Sequence, residues 1–429
     1  MRAALPATSE ALSGLPLPRL SLRRNFAWTF GGNVAYATSQ WAMLVVLAKL
    51  GSPELVGQFA LALAVTNPIL LFAGLHLRSV QATDVRGEHP FSDYLRLRLA
   101  TATLAMLVTA SVAFLGGFRT ETALVILAMG AAKAVESVSD ILHGLFQIRE
   151  RMDLAARSLV VRAATSLIAF AVAVYYSRSL LWGAASLTIS WLTVLLLVDL
   201  PSSRALLPAR ETANIAWNRA RLWNLAWLAL PLGLGQMLRG LELSIPRLVI
   251  EHRFGERELG LFAAIAYLTV AGTQLINALG QSATARLSQE FSTGDRRAFG
   301  RLLARLIGAG VLVGAVGLVV SLVAGSALLT CIYNSEYAKH TDVLCWMMVA
   351  AALTYAYVFL GTALNAMRLF RPRLALHALT LPVLIIACCT LGWWHGLRGV
   401  AEGICLAEFI AALAYCWLVR RALRGSKPS

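Results

Sequence analysis

Charge is scarce in this chain. Only 14% of its 429 residues are Asp, Glu, Lys or Arg, 58% are hydrophobic, and the mean hydropathy is +0.68. Soluble domains carry about 25% charged residues, so a soluble globular protein is excluded and an integral membrane protein is implied. Acids are scarcer still: 22 against 38 Lys and Arg, a net charge of +16. The six cysteines, Cys331, Cys345, Cys388, Cys389, Cys405 and Cys416, all fall in the last third and form no CxxC. A zinc ribbon or a disulfide framework is therefore not expected, and they read as small core residues. No GxxxxGK[ST] occurs, which excludes a built-in ATP motor of that type. GLGQMLRG lacks the GxGxxG spacing and follows no strand. No metal constellation and no nucleophile–base pair is evident, so no enzyme, cofactor or metal is expected. Loops are too short for the soluble domain of a polymerase or glycosyltransferase.

What is present is a succession of apolar runs. A helix needs about 20 apolar residues to cross a bilayer, so the length suits about twelve spans with short loops. The reading is an all-α polytopic membrane protein of two six-helix bundles. Residues 1–20 form a mobile cytoplasmic tail and 21–200 the N-terminal bundle. A cytoplasmic linker follows at 201–221, then the C-terminal bundle at 222–420 and a cytoplasmic tail at 421–429. LRSVQATDVRGEHPFSDYLRLR and GQSATARLSQEFSTGDRRAFGRLLAR read as cytoplasmic loops. Basic residues gather around 19–24, 78–98, 149–157, 204–221, 286–305, 368–373 and 420–427, while the alternate loops hold few. The positive-inside rule then puts both termini in the cytoplasm. Topology accounts for the basicity, and nucleic acid is not an expected partner.

Three spans carry polar groups where lipid tolerates them poorly. In LWNLAWLALPLGLGQMLRGLELSIPRLVIEHRF, residues 222–254, Gln236, Arg239 and Arg247 share one helical face with Glu242 beside it. Pro231, Gly233 and Gly235 just ahead mark a bend or break. A charge at the bilayer centre costs about 2.5–3.5 kcal/mol even on the lenient scale, so it faces a bundle interior or a wet cavity. A self-neutralising Arg239–Glu242 pair at i, i+3 is the competing reading. The fourth span places Lys133, Glu136, Ser137 and Asp140 on one arc. Here a Lys133–Glu136 pair competes with a cavity role, but two acids against one cation leave a surplus carboxylate. The first span presents Asn33, Tyr36 and Gln40, which either hydrogen-bond a neighbouring helix or line a cavity. In the second span, Asn67-Pro68 marks a kink.

The halves repeat weakly. LGSPELVGQFALALAV matches FGERELGLFAAIAYL, with Gly57 on Gly260 and Phe59 on Phe262, a displacement of 203 residues. Both repeats start on the same side, so they are parallel, the arrangement of alternating-access transporters that bind substrate between repeats. No filter-like ring of a channel is seen.

NVAYATSQWAMLVVLAKLGSPELVGQFALALAV and LHLRSVQATD resemble the opening of polysaccharide transporter family proteins, the Wzx-type O-antigen and exopolysaccharide flippases. These are relatives of MATE exporters and lipid II flippases in the MOP superfamily. The resemblance is strongest over 25–98. It implies movement of an undecaprenyl-pyrophosphate-linked oligosaccharide across the inner membrane, a cationic central cavity, and coupling to a proton or sodium gradient. Partners on this reading are the glycolipid, membrane lipids, and a polysaccharide polymerase with its chain-length machinery. Arg78, Lys133, Arg239 and Arg247 would hold the pyrophosphate, since Arg forks and Lys point charges suit that group. Asn33, Tyr36, Gln40 and Gln236 would serve the sugar. Glu136, Asp140 and Glu242 would bind the coupling ion. A multidrug exporter of the same superfamily is the alternative; cationic drugs favour an acidic, aromatic cavity, and basic residues argue against it.

Overall fold

The computed structural model describes residues 21–84, 88–207, 218–293, 295–367 and 370–425. The tail at 1–20, the core of the linker and the last four residues lie outside them. Among the described residues every regular element is helical. In order they are α1 Leu22–Leu50, α2 Pro53–Ala73, α3 Leu77–Thr83, α4 Phe91–Leu115, α5 Thr120–Ile148, α6 Met152–Ser177 and α7 Leu180–Val194. A π-helical turn at Leu195–Asp199 leads into α8, Leu200–Arg204. Then come α9 Arg219–Tyr267, α10 Thr269–Ser292, α11 Arg296–Ile332, α12 Thr341–Ala366 and α13 Phe370–Gly425. Nine helical stretches of the described residues are long and apolar enough to cross a membrane. Two helices are double. α9 turns at Gly255 (φ 85°) and α13 at Gly396 (φ 63°), a left-handed backbone that only glycine adopts without strain.

Pro231, Gly233 and Gly235 do not break α9, which stays helical from Arg219 to the Gly255 turn. Gly233 serves close packing instead: a Cβ there would sit 3.0 Å from the Phe72 carbonyl oxygen and 2.9 Å from Leu75 Cδ2. The two stretches read as loops are also partly helical. Leu75 and His76 (φ 49° and 50°) end α2, and α3 restarts because Leu77, Val80 and Gln81 all bury themselves. α10 and α11 run on through the second stretch, since Leu287, Phe299 and Leu303 are buried at helical spacing. Asp295 caps α11 by accepting from the Ala298 amide at 2.9 Å.

Packing follows lipid rules. Hydrocarbon does not drive apolar side chains together, so small residues that let helices approach do that work. On α11, Gly310 and Gly314 meet Tyr355 and Ala352 of α12 so closely that added Cβ atoms would lie 2.7 Å from the Tyr355 carbonyl oxygen and 2.3 Å from Ala352 Cβ. The other face of α11, with Leu312, Val316, Val319 and Val323, is exposed, as a lipid-facing surface should be.

The chain divides into two compact units. One comprises the chain up to Ala42, Ile69–Ala173 and Leu181–Leu234; the other comprises Met43–Pro68, Val174–Leu180 and everything from Gly235. The divisions fall inside α1, α2, α6, α7 and α9. In α2 the division follows Pro68, and in α9 it precedes Gly235, so both sit at residues the sequence marks as bends.

Candidate functional site

Within the second unit, α9, α10, α12 and α13 enclose a cavity of about 620 Å³. Its α9 wall is Arg239, Glu242, Leu243, Pro246 and Arg247, the i, i+3, i+4, i+7, i+8 stripe of one helical face. Arg239 is exposed and Arg247 half-buried. Among the described residues no carboxylate lies at ion-pair distance from either guanidinium. The expected Arg239–Glu242 pair does not form. Glu242 turns instead to α13, where His377 Nδ1 is 2.8 Å from its Oε1 and the Thr380 hydroxyl donates to the same oxygen at 3.0 Å.

That contact opens a second polar group. His377 Nε2 lies 3.3 Å from the Tyr415 hydroxyl, and the Tyr415 ring stacks on Tyr357 at 5.2 Å. Tyr357, Thr354 and Glu408 line the same cavity, and Glu408 Oε2 is buried without a partner among the described residues. The cavity thus has a cationic wall on α9 and an acidic, aromatic wall on α12 and α13. Its remaining polar groups include Thr273 and Asn277 of α10. A dianion fits the first wall, because Arg offers a two-pronged fork to phosphate oxygens. A proton or a small cation fits the second.

The first unit holds the other predicted charges in a different state. Lys133 Nζ is 2.8 Å from Glu136 Oε2, and the Tyr36 hydroxyl donates to Glu136 Oε1. The Lys133 ammonium also lies 5.4 Å from the centre of the Trp191 ring, at cation–π range. Trp191 is further approached by Arg162, which bonds Asp199 at 3.1 Å. Asp199 sits 3.5 Å from His143 Nε2, which meets the Ser158 hydroxyl at 3.2 Å. Arg162 and Asp199 are 1% and 0% exposed, so they form a sealed pair. The π-helical turn before α8 supplies that aspartate, and such turns are frequent at functional sites.

Nearer the α3 end, Asp140 is shared by two arginines, Arg78 at 3.1 Å and Arg98 at 3.7 Å, and Arg78 Nε reaches Gln147 Oε1 at 3.2 Å. Asn33 is exposed; Tyr36, Gln40 and Gln236 are half-buried and partnered. The predicted charged residues, with Tyr36, therefore fall into three groups. Arg239, Glu242 and Arg247 share the cavity, Tyr36, Lys133 and Glu136 form one cluster, and Arg78 with Asp140 forms another.

Sequence reasoning missed His377, Thr380 and Tyr415 and gave Glu408 no role. Their signal was weak but present: His377 and Thr380 stand at i, i+3 in an apolar span, as do intramembrane polar groups that face inward. No group of three or more potential metal ligands occurs among the described residues.

Comparison with known proteins bears on the family and the fold. A family model described as polysaccharide biosynthesis protein matches residues 22–286. The capsular polysaccharide biosynthesis protein CapF of Staphylococcus aureus is 26% identical over 400 residues, covering 93% of this chain and 99% of that protein. Among solved structures, a multidrug resistance MATE family transporter of the MOP superfamily in an inward-facing conformation superposes with a TM-score of 0.76 at 14% identity, over 91% of this chain and 96% of that one. The lipid II flippase MurJ, in an inward closed conformation, gives 0.74 at 12% identity, over 94% and 89%. A Pyrococcus furiosus MOP superfamily transporter, described as having a binding pocket of reverse polarity, gives 0.64 at 16%, over 94% and 96%. The family match spans more than half of the chain, and the fold agrees along nearly all of it: this protein belongs to the polysaccharide biosynthesis protein family and has the fold of MOP superfamily transporters.

Proposed function

We propose that the chain is a flippase that carries an undecaprenyl-pyrophosphate-linked oligosaccharide, an O-antigen or exopolysaccharide repeat unit, across the bacterial inner membrane by alternating access. One observation carries the reading: Arg239 and Arg247 line a cavity of transporter fold without ion-pair partners among the described residues, while Glu242 is engaged elsewhere. Unpaired guanidinium groups in a membrane are costly unless an anion completes them, and pyrophosphate is that anion. Outward movement of about two negative charges across an inside-negative potential gains roughly 4–5 kcal/mol per 100 mV. The Glu242–His377–Tyr415 chain and Glu408 form the candidate site for a coupling proton or sodium ion. Both termini are cytoplasmic on this reading, so a cysteine at Arg149 or Arg297 is labelled from the cytoplasm and one at Arg257 from the opposite side. Product handed to the outer leaflet would pass to a polymerase and its chain-length machinery.

The test is a deletion strain in which the chain restores surface polysaccharide. Arg239→Ala at normal abundance should restore none and accumulate lipid-linked oligosaccharide, and Arg239→Lys should restore part. Full restoration by Arg239→Ala removes the cavity from the transport path.

One observation favours a second function, an ion-coupled multidrug exporter: the acidic, aromatic wall of Glu242, Glu408, Tyr357 and Tyr415 suits an organic cation. Drug resistance lost with Glu408→Gln and kept with Arg239→Ala would select it.

A further inference from the structure

The two copies of the internal repeat lie against each other. The first is the corner between α1 and α2, and the second is the corner that follows the Gly255 turn. Both belong to the second unit. A Cβ on Gly57 would lie 1.7 Å from the Glu256 carbonyl oxygen, and one on Gly260 would lie 1.8 Å from the Pro53 carbonyl oxygen. The repeat displacement of 203 residues takes Gly57 to Gly260 and Pro53 to Glu256. Each glycine thus touches the residue equivalent to the one that touches its partner, the reciprocal pattern of a two-fold contact. The same displacement takes Glu54 to Arg257, and these two equivalent positions form an ion pair with one another at 2.7 Å. The sequence has placed opposite charges at an equivalent pair that meets itself across the local axis, where like charges would repel.

Other contacts join the corners to their surroundings. Arg257 also pairs with Glu336, while the Gln58 amide, donating to Glu256 Oε2 at 3.0 Å, adds a further bond between the corners themselves. Lys49 donates to the Cys331 carbonyl at 3.0 Å. Phe262, two residues after Gly260, is a wall of the cavity, so this contact closes beside it.

We propose that the paired repeat corners, 51–58 and 255–262, form a latch that seals the Phe262 end of the cavity and must part for cargo to leave by that end. This rests on the transporter reading given above. The chemistry suits a latch that opens. Glu54 and Arg257 are 40% and 53% exposed, and exposed ion pairs hold weakly. Glycine-mediated backbone contact supplies close fit without long side chains to disentangle.

Two experiments test it. In a chain freed of its six cysteines, Glu54→Cys with Arg257→Cys is treated with a short bis-methanethiosulfonate in cells that depend on the protein for surface glycan. Cross-linking should abolish new glycan export, and reductant should restore it. Export that continues through the cross-linked chain, or corners that never cross-link, overturns the latch. Loss of all export before cross-linking, in the unsubstituted chain as well, counts instead against the transporter reading. The second experiment needs no cargo. Gly260→Ala should prop the latch open and speed labelling of Thr273→Cys in the cavity by a membrane-impermeant maleimide, from the side that labels Arg257→Cys. Gly308→Ala, where a Cβ meets nothing within 4 Å, should leave the rate unchanged. Equal labelling in both backgrounds removes the proposal.

Discussion

Lys133 and Arg239 entered the sequence reading as equivalents, cations at membrane depth each with an acid three residues on, and the structure treats them differently. Lys133 is answered at once by Glu136, Tyr36 and the face of Trp191. Arg239 stands at a cavity with no carboxylate to meet it among the described residues. The two regions hold the same residue types at the same helical spacings. What separates them is the neighbouring helix: α7 brings Trp191 to the first unit, whereas α13 draws Glu242 away from Arg239 in the second. A charge whose partner is built in serves packing first, and one whose partner is absent is available to a ligand.

The contrast breaks most readily at the sealed pair. Asp199→Ala strands the buried Arg162, and loss of one member of a buried pair costs about 3–5 kcal/mol. We expect a sharp fall in abundance and in the thermal midpoint in detergent, recovered in part by Arg162→Met in the same chain. A stable, abundant Asp199→Ala protein would show the region to be wetter than its contacts imply.

Next in size is the comparison itself. A charged hydrogen bond to phosphate is worth about 1.5–3 kcal/mol, so Arg247→Ala should weaken headgroup binding roughly ten- to hundred-fold with normal abundance. Lys133→Ala should instead lower abundance by leaving Glu136 unanswered, and Lys133→Ala with Glu136→Gln should recover it. If that double variant is abundant yet exports no glycan, Lys133 belongs to the transport path as well. His377→Ala comes third. Glu242 keeps Thr380 but loses its ring partner, so export should persist with an altered dependence on the proton or sodium gradient. Unchanged gradient dependence would take His377 out of the coupling site.

The smallest effect lies between α3 and α4. Burial raises the Asp84 carboxyl, but the Glu88 and His89 amides and the Tyr94 hydroxyl donate to it at 3.0, 3.1 and 3.1 Å and hold it below its ordinary range. A carboxylate lowered in the folded state lends stability above its unfolded pKa and loses it as pH falls through the lowered value. Asp84→Asn should therefore flatten the acid side of a stability–pH profile, read from the thermal midpoint. An identical profile would assign that slope to other groups.

The fold class was legible because lipid imposes it: scarce charge and long apolar runs admit helices or closed barrels, and the run lengths here are helical. The α9 wall was legible for a similar reason, since Arg239, Glu242 and Arg247 are spaced for one face. Their partners were not. His377 comes from 135 residues beyond Glu242, and helical spacing carries no information about which distant helix lies opposite. The break in α9 was misplaced because Pro231 and Gly233 carry breaking residue types but occupy a packed position, whereas Gly255 takes a left-handed turn that a lone glycine does not announce. The repeat could be aligned by eye, yet nothing in the alignment says that its copies touch.

The π-helical turn at Leu195–Asp199 has a consequence for how this helix tolerates change in length. An i→i+5 turn accommodates one residue more than a regular turn. Removing a single residue from Leu195–Val198 would let the helix close into regular α form and leave Asp199 facing Arg162 and His143, whereas removing one from the regular turns of α7 would rotate everything beyond it by about 100°. In relatives with a regular helix here, a one-residue gap should align with this turn, and the aspartate should keep the buried position.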